Sequence, residues 1–211
     1  MKKNRIVISG VEPDSVAMDA GIEPGDFLLS VNGQKVIDIF DYRFLTTESK
    51  LLIEIEKADG DLWEIDIEKD EYEDLGIEFE DPLISEARSC TNNCVFCFID
   101  QLPKNMRHTV YFKDDDSRLS FLSGNYVTLT NMKKAELDRI IRYKMTPVNV
   151  SVHTTNPQLR TEMLRNRFAG DVLEKIETLT RGGITVNTQI VLCKGLNDGE
   201  ELDRTIRELS E

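Results

Sequence analysis

Three of the four cysteines in this chain lie within eight positions, and no other feature constrains its fold and chemistry as strongly. They are Cys90, Cys94 and Cys97, spaced C-x3-C-x2-C between Ser89 and Phe98. A set of thiols this dense indicates metal binding more often than packing. Thiolates are the usual ligands of iron–sulfur clusters, and three of them can hold three irons of a cubane [4Fe-4S] cluster. The remaining iron then has an open position where a small chelating molecule can bind.

Two other interpretations of these cysteines are compatible with the spacing. A zinc ion needs a fourth ligand from elsewhere, and a disulfide between two of the three leaves one thiol over. The fourth cysteine, Cys193, suits either a small buried residue or a ligand of a second cluster. Residues 1–5 lead into a short apolar strand, so we expect neither a signal peptide nor a membrane span. Clustered thiols without a secretory signal are typical of the reducing cytoplasm.

The negative charge of the chain is concentrated in its first part. The net charge is −13; residues 1–81 contain 22 acidic and 8 basic side chains, whereas residues 82–211 contain 17 and 18. This difference predicts two domains, 1–81 and 82–211, that meet at Asp81 and Pro82. An acidic first domain repels nucleic acids and anionic lipids, and the second has no basic stripe to overcome that repulsion. We therefore expect no nucleic-acid partner and no membrane association.

Turn chemistry predicts a small, mainly-β first domain. A short strand starts at Ile6, a helix capped by Ser15 follows, and Asn32–Gly33 forms a hairpin turn. Residues 51–56 and 62–68 alternate apolar and acidic side chains about a turn, which predicts a second, half-solvated hairpin.

The first domain resembles a PDZ domain, through the pattern P-x-S-x-A…A-G-I-x-P-G-D…V-N-G between Pro13 and Gly33. The segment Leu75-Gly76-Ile77-Glu78-Phe79 resembles the carboxylate-binding loop, at the end of the domain as in the circularly permuted PDZ domains of bacteria. The resemblance implies that Leu75, Gly76 and Ile77 bind an extended peptide or a protein C-terminus by strand addition. The alternative is a domain that packs on the rest of the chain, because its acidic neighbours disfavour a carboxylate ligand.

Strands and helices alternate after residue 82, which predicts parallel β/α units and a portion of a β/α barrel. The predicted strands are 83–88, 126–130, 148–152 and 184–192. Functional residues in such folds follow the strands, which selects the cysteines, Asn131 and His153; Asn131 is also expected to cap a helix. The polar segment 100–121 is expected to be a functional or mobile loop in which Asp114–Asp116 is a solvated charge run.

The second domain resembles radical SAM enzymes. The resemblance is carried by the cysteine spacing, by Phe96 before the last cysteine, by residues 150–153, and by the strand 184–192 with Gly195-Leu196-Asn197-Asp198 after it. It implies a partial radical-SAM-type barrel whose [4Fe-4S] cluster binds Cys90, Cys94 and Cys97. S-adenosylmethionine would chelate the open iron and yield a radical, with Phe96, Asn131 and His153 beside the cofactor. This architecture is similar to the domain-of-unknown-function 512 group of bacterial proteins, whose further C-terminal domain has no counterpart here, so we expect a C-terminally truncated chain.

Two departures from the radical SAM pattern keep other functions open. The position after the second strand reads Thr130-Asn131-Met132 instead of Gly-Gly-Glu, and four units are predicted where the usual barrel has six. One alternative is an iron–sulfur protein that transfers electrons or stabilises its own fold without S-adenosylmethionine. Another is a PDZ-based scaffold with an inert barrel half. If the chain is an enzyme, we expect an oxidoreductase or transferase, and the sequence does not identify its small-molecule or protein substrate.

Overall fold

The structure is a computed structural model that describes residues 5–210. The chain divides into two compact units, which we call the N-terminal unit, up to Glu86, and the C-terminal unit, from Ala87. The domain boundary at Asp81 and Pro82 stays a prediction.

The N-terminal unit is a mostly antiparallel β structure with two short helices. Its elements are β1 Ile6–Val11, α1 Val16–Asp19, β2 Phe27–Val31, β3 Gln34–Lys35, α2 Ile39–Leu45, β4 Lys50–Glu56, β5 Leu62–Glu68 and β6 Ile77–Phe79. The strand order is β5-β4-β2-β1-β6, with β3 paired to β2. Alternate residues of β4, Leu51, Ile53 and Ile55, are buried, as the alternating sequence predicts.

Local turn chemistry explains most of the N-terminal unit. Ser15 caps α1 by accepting a hydrogen bond from the Met18 amide at 3.2 Å. Asn32 and Gly33 have φ values of 52° and 68°, the left-handed pair that joins β2 to β3 in a tight hairpin. The hairpin of β4 and β5 is also confirmed. Helix α2 was not predicted from the sequence; Asp38 caps it by accepting from the amides of Phe40 and Asp41.

The C-terminal unit is a three-stranded parallel sheet with helices. Its elements are α3 Ser117–Ser123, β7 Tyr126–Val127, α4 Lys134–Arg142, β8 Val148–Ser151, α5 Pro157–Leu164, α6 Val172–Arg181, β9 Val186–Gln189 and α7 Glu200–Ser210, with a 3-10 turn at His108–Tyr111. The strand order is β7-β8-β9, and Val127 pairs with Val150, which in turn pairs with Thr188. The chain is therefore mixed α/β, with an antiparallel sheet followed by a parallel one. The partial barrel stays a prediction.

The structure corrects several of the elements predicted after residue 82. Residues 83–88 form no strand; Leu83 is buried and its carbonyl accepts from the Ile39 amide at the start of α2. The strand predicted over 184–192 is limited to Val186–Gln189. Asn131 does not cap a helix, because α4 begins three residues later.

The caps and core of the C-terminal unit otherwise follow the sequence pattern. Asn156 caps α5 ahead of Pro157, as predicted, by accepting from the amides of Gln158 and Leu159. Val148 and Val150 of β8 are fully buried, as is Val152 directly after the strand. This buried strand fixes the positions of the loops that follow β7 and β8, which carry most of the candidate site.

Candidate functional site

The cysteine loop, residues 89–98, has no regular secondary structure and is held in place by backbone hydrogen bonds. The amides of Asn93 and Val95 donate to the carbonyls of Leu164 and Met163 at the end of α5, at 3.0 and 2.9 Å. The Cys90 amide donates to the Lys113 carbonyl at 2.6 Å. Packing supports the same placement, because Cys94 and Phe96 contact the buried group Met163, Leu164 and Ala169. The loop is therefore fixed against the C-terminal unit by its backbone.

All four cysteines are free, partly buried thiols. Burial raises the pKa of Cys94 to about 12, and the charges of Cys90 and Cys97 add to this increase. Burial also raises the pKa of Cys90, where Cys97 contributes to the increase while hydrogen bonds from Asn92 oppose it. The charges of Cys90 and Cys97 therefore act on Cys94, and the charge of Cys97 acts on Cys90.

The ligand geometry bears on which metal these thiols suit. Within residues 5–210, no group of three or more His, Cys, Asp or Glu side chains is arranged to hold a metal ion. The three cysteine sulfurs are therefore not gathered around a single point in this structure. A cubane cluster makes a different demand, because each thiolate binds a separate iron and the sulfurs need not converge on one point. Three free thiols on one loop match that demand in ligand type and number.

Asn92 is a buried side chain that connects the cysteine loop to its surroundings. Its amide nitrogen donates to the Cys90 sulfur at 3.2 Å and to the Thr128 hydroxyl at 2.9 Å. Its amide oxygen accepts from Thr130 at 3.0 Å and from Asn166 at 2.7 Å. These hydrogen bonds were not predicted from the sequence. The only indication of them there is that an asparagine lies inside the cysteine motif. The bonds of Asn92 fix the orientation of Cys90 relative to the ends of β7 and α5.

Two of the three consecutive aspartates are buried, so the prediction of a solvated charge run is wrong for Asp115 and Asp116. Asp115 accepts from the amide and the hydroxyl of Thr128. Burial raises the pKa of Asp115, and these bonds oppose the increase. Burial would also raise the pKa of Asp116, but hydrogen bonds from Arg118 and from the Arg88 amide hold it below its usual value. The two carboxylates therefore accept hydrogen bonds from within the protein instead of facing solvent.

The structure brings Phe96 and His153 together. Their ring centroids are 4.6 Å apart with an interplanar angle of 62°, an edge-to-face contact. His153 is 4% exposed, and its Nδ1 accepts from the Val191 amide at 3.1 Å. Burial, with a smaller contribution from Arg160, lowers the pKa of His153 to about 3, so the ring is neutral near pH 7.

Asn131 is tied to the other end of the cysteine loop. Its side-chain oxygen accepts from the Thr91 hydroxyl at 2.5 Å, and its nitrogen donates to the Ser89 carbonyl at 3.2 Å. Asn131 thus forms hydrogen bonds with residues 89–91, whereas His153 contacts Phe96.

Cys193 and Asn197 lie after β9. Cys193 packs against the same buried group as Cys94 and Phe96, and its amide donates to the Asn197 side chain at 2.7 Å. Asn197 is fully buried and donates to the carbonyls of His153 and Val191 at 2.7 and 3.0 Å. The turn that follows β9 is thereby joined to the end of β8.

The predicted peptide-binding residues precede or form β6, an edge strand among the described residues. Leu75 and Gly76 already use their carbonyls, which accept from the amides of Ala17 and Glu12 at 2.9 and 2.8 Å. The Gly76 amide donates to the Asp74 carboxylate at 2.9 Å. The amide that a peptide carboxylate would need is therefore occupied by an internal carboxylate.

None of the helices between residues 5 and 210 combines the length and the apolar character that crossing a lipid bilayer requires.

Comparison with known proteins finds two family models in this chain. The model described as a Radical SAM-like domain matches residues 69–211, and the model described as a PDZ domain matches residues 7–57. No curated protein matches the chain significantly. The first match covers the cysteine loop and every element of the C-terminal unit. The chain therefore belongs to the family of Radical SAM-like domains and carries a PDZ domain in its N-terminal part.

Proposed function

We propose that Cys90, Cys94 and Cys97 hold a [4Fe-4S] cluster with which the protein cleaves S-adenosylmethionine and starts radical chemistry on a substrate. The observation that carries this proposal is the docked cysteine loop, which has three free thiols within eight residues on a backbone fixed by hydrogen bonds. The match to the Radical SAM-like family supports the same function. A labile cluster of this kind also favours a reducing cytoplasm.

The residues of this chain would orient the cluster ligands and keep water away from them. When bound, the reduced cluster supplies the electron that splits the sulfonium of S-adenosylmethionine. Asn92 holds the Cys90 sulfur through a hydrogen bond that favours the thiolate, the form a metal needs. Phe96 packs edge to face on the neutral ring of His153 and shares with Cys94 the contact to the buried group Met163, Leu164 and Ala169.

We place S-adenosylmethionine beside Phe96, Asn131 and His153. The position that usually carries Gly-Gly-Glu has the neutral side chains of Thr130 and Asn131, so no carboxylate at this position would pair with the cofactor's amino group. Asn131 would act by fixing residues 89–91, since both ends of its amide already bind them.

The experiment that tests this function is anaerobic reconstitution with iron and sulfide, followed by reduction with dithionite and electron paramagnetic resonance. We expect a cluster signal that changes when S-adenosylmethionine is added, and 5′-deoxyadenosine in the products. Cys94→Ala should lose the signal, whereas Cys193→Ala, the same substitution outside the loop, should keep it. A cluster signal that S-adenosylmethionine leaves unchanged, without 5′-deoxyadenosine, would favour the electron-transfer or structural alternative. If the Cys94→Ala protein kept full function in the cell, only the scaffold alternative would stand.

For the N-terminal unit we propose binding of an extended peptide by strand addition to β6. The edge position of β6 favours this mode, since an edge strand has backbone groups available for a further strand. Leu75, Gly76 and Ile77 would lie beside the ligand. Because Asp74 occupies the Gly76 amide, an internal peptide segment fits better than a free C-terminus. Fluorescence anisotropy with peptides that differ only in C-terminal amidation tests this preference; a strict requirement for the free carboxylate would contradict it.

A further inference from the structure

A cavity of about 750 Å³ lies beside the cysteine loop in the C-terminal unit, and we call it the basic cavity. Four cationic side chains line it: Lys133, Arg165, Arg167 and Lys175. The single carboxylate in its lining, Asp171, is already paired with Lys175 at 3.1 Å. The cavity therefore carries an excess of positive charge.

The part of the chain around the cavity is nearly neutral, with 17 acidic and 18 basic side chains in residues 82–211. Among residues 5–210, Lys133, Arg165 and Arg167 form no ion pair with a carboxylate, although carboxylates are nearly as numerous as cations in residues 82–211. Like charges that share a cavity repel one another, and a bound anion relieves that repulsion. The charge pattern thus points to a negatively charged ligand.

The backbone at Arg165 gives a second, independent indication. Arg165 ends α5 in the left-handed conformation, with φ of 49°, where glycine is the favoured residue. An arginine at such a position costs stability that a glycine would not. Strained non-glycine residues of this kind cluster at functional sites. Arg165 lines the basic cavity, where its positive charge can attract an anion.

Phe168 provides an apolar surface in the same lining. It is 58% exposed, and the Arg167 guanidinium lies 4.7 Å from its ring centroid. An exposed aromatic ring next to cations suits a ligand with a planar or apolar part beside its anionic group.

Several lining residues connect the basic cavity to the cysteine loop, among them Asn131, which bonds to Thr91 and Ser89. Asn166 lines the cavity and donates to Asn92 at 2.7 Å, and Asn92 in turn donates to the Cys90 sulfur at 3.2 Å. Thr91, the neighbour of Cys90, is part of the lining itself. A ligand in the cavity would thus lie within two hydrogen bonds of a proposed cluster ligand.

We propose that the basic cavity binds a small anionic molecule that carries phosphate or carboxylate groups. Lys133, Arg165 and Arg167 contact the anion, and Phe168 contacts the rest of the molecule. A nucleic acid is a poor fit, because its charge extends well beyond one cavity and meets an acidic protein. If the protein carries out the proposed radical chemistry, this anion is its substrate. The anion site itself does not depend on that proposed function.

Isothermal titration calorimetry of the full chain without a cluster tests the anion site, with inorganic pyrophosphate and citrate as separate probes. We expect saturable binding of at least one probe, and the stronger one identifies phosphate or carboxylate as the preferred group. The double variant Arg165→Gln and Arg167→Gln should bind at least tenfold more weakly, about 1.4 kcal/mol. Arg207→Gln, the same change at an exposed residue of α7 outside the cavity, should bind like the unmodified protein.

A single variant, Arg165→Gly, separates binding from folding. Glycine relieves the left-handed strain, so this variant should unfold at a higher temperature and still bind the probe more weakly. The proposal is overturned if neither probe binds, or if Arg207→Gln weakens binding as much as the double variant does. Loss of binding in Arg165→Gly together with a lower unfolding temperature would also overturn it, since a damaged fold would then explain the loss. Binding by a protein that assembles no cluster would support the site and overturn only the proposed radical chemistry.

Discussion

Arg160 is the most deeply buried cation in the described chain, and it is held by backbone carbonyls. It is 1% exposed and donates to Val152 at 2.9 Å, Ser151 at 2.8 Å, Thr128 at 2.9 Å and Ala169 at 2.5 Å. Burial lowers its pKa to about 10, so the guanidinium stays charged near pH 7. One side chain of α5 thus joins the ends of β7 and β8 beneath the cysteine loop.

We expect Arg160→Met to lower the free energy of unfolding by about 3 kcal/mol or more, because four backbone carbonyls in and beside the core lose their donor at once. Arg207→Met, at an exposed position, should change it by less than about 0.5 kcal/mol. Urea unfolding followed by circular dichroism at pH 7 measures both. A loss at Arg160 no larger than that at Arg207 would show that these bonds contribute little to stability.

His153 makes stability depend on pH in the acidic range. Its pKa is about 3 in the folded chain, against an ordinary value of 6.5, so protons bind the unfolded chain more readily. The stabilisation from a neutral His153 is complete above pH 6.5 and is lost as the pH falls toward 3. Protonation would also place a proton on Nδ1, which accepts from the Val191 amide. Relative to neutral pH, we expect a loss of about 2 kcal/mol at pH 5 from this residue.

His153→Gln removes the titrating group and measures that loss. Urea unfolding at pH 7.5 and pH 5 gives the free energy of unfolding at each pH. This free energy should change less between the two pH values in the variant than in the unmodified chain. His108→Gln, at the other histidine, which is exposed, is the matched control and should keep the original slope. If His153→Gln kept the original slope too, the buried neutral ring would not be the source of the dependence.

At the scale of elements, the entry into β6 depends on a glycine that no other residue replaces easily. Gly76 has φ of 77°, and a Cβ added there would collide with the side chain of Ser15. Gly33 has a similar φ of 68°, but a Cβ there meets nothing within 4 Å. We expect Gly33→Ala to cost about 1–2 kcal/mol for its backbone conformation alone, and Gly76→Ala to cost about 1–3 kcal/mol more. Thermal unfolding of the two variants gives the difference, and equal losses would mean that Ser15 moves aside freely.

The elements that the sequence predicts correctly are those with local causes. The Asn32–Gly33 hairpin and the Asn156–Pro157 helix start follow from backbone conformations that these residues favour in any context. Residues 83–88 have a strand-like pattern, but Leu83 bonds to the start of α2, so the pattern alone does not decide which partner a segment finds.

The site was predictable only in part, for the same reason. The cysteine spacing and Phe96 are local signals, whereas the roles of Asn92 and Arg160 depend on Thr128, which is 36 residues from one and 32 from the other. Sequence periodicity does not report such long-range polar contacts. The burial of Asp115 and Asp116 was not predictable either, because Asp115 bonds to Thr128, 13 residues away, and Asp116 bonds to Arg118 in α3, a helix that the sequence pattern did not indicate.

At the scale of the whole molecule, two compact units differ in charge. Residues 1–81 carry 22 acidic and 8 basic side chains, so this part of the chain repels itself more than the near-neutral remainder does. Salt screens such repulsion, with a Debye length of about 10 Å at 0.1 M. Added salt should therefore stabilise the N-terminal unit more than the C-terminal unit.

The chain carries a probe that reports on one unit alone. Trp63 is its only tryptophan and lies in β5, where it is 43% exposed with Lys57 4.9 Å from the ring centroid. Its fluorescence therefore follows the N-terminal unit, whereas circular dichroism at 222 nm mostly follows the longer helices α4 to α7 of the C-terminal unit. In urea we expect two transitions that do not coincide, and the fluorescence midpoint should rise between 50 and 500 mM sodium chloride while the dichroism midpoint changes less. Coincident midpoints that shift together at both salt concentrations would mean that the two units unfold as one, because two-state unfolding makes every probe report the same transition.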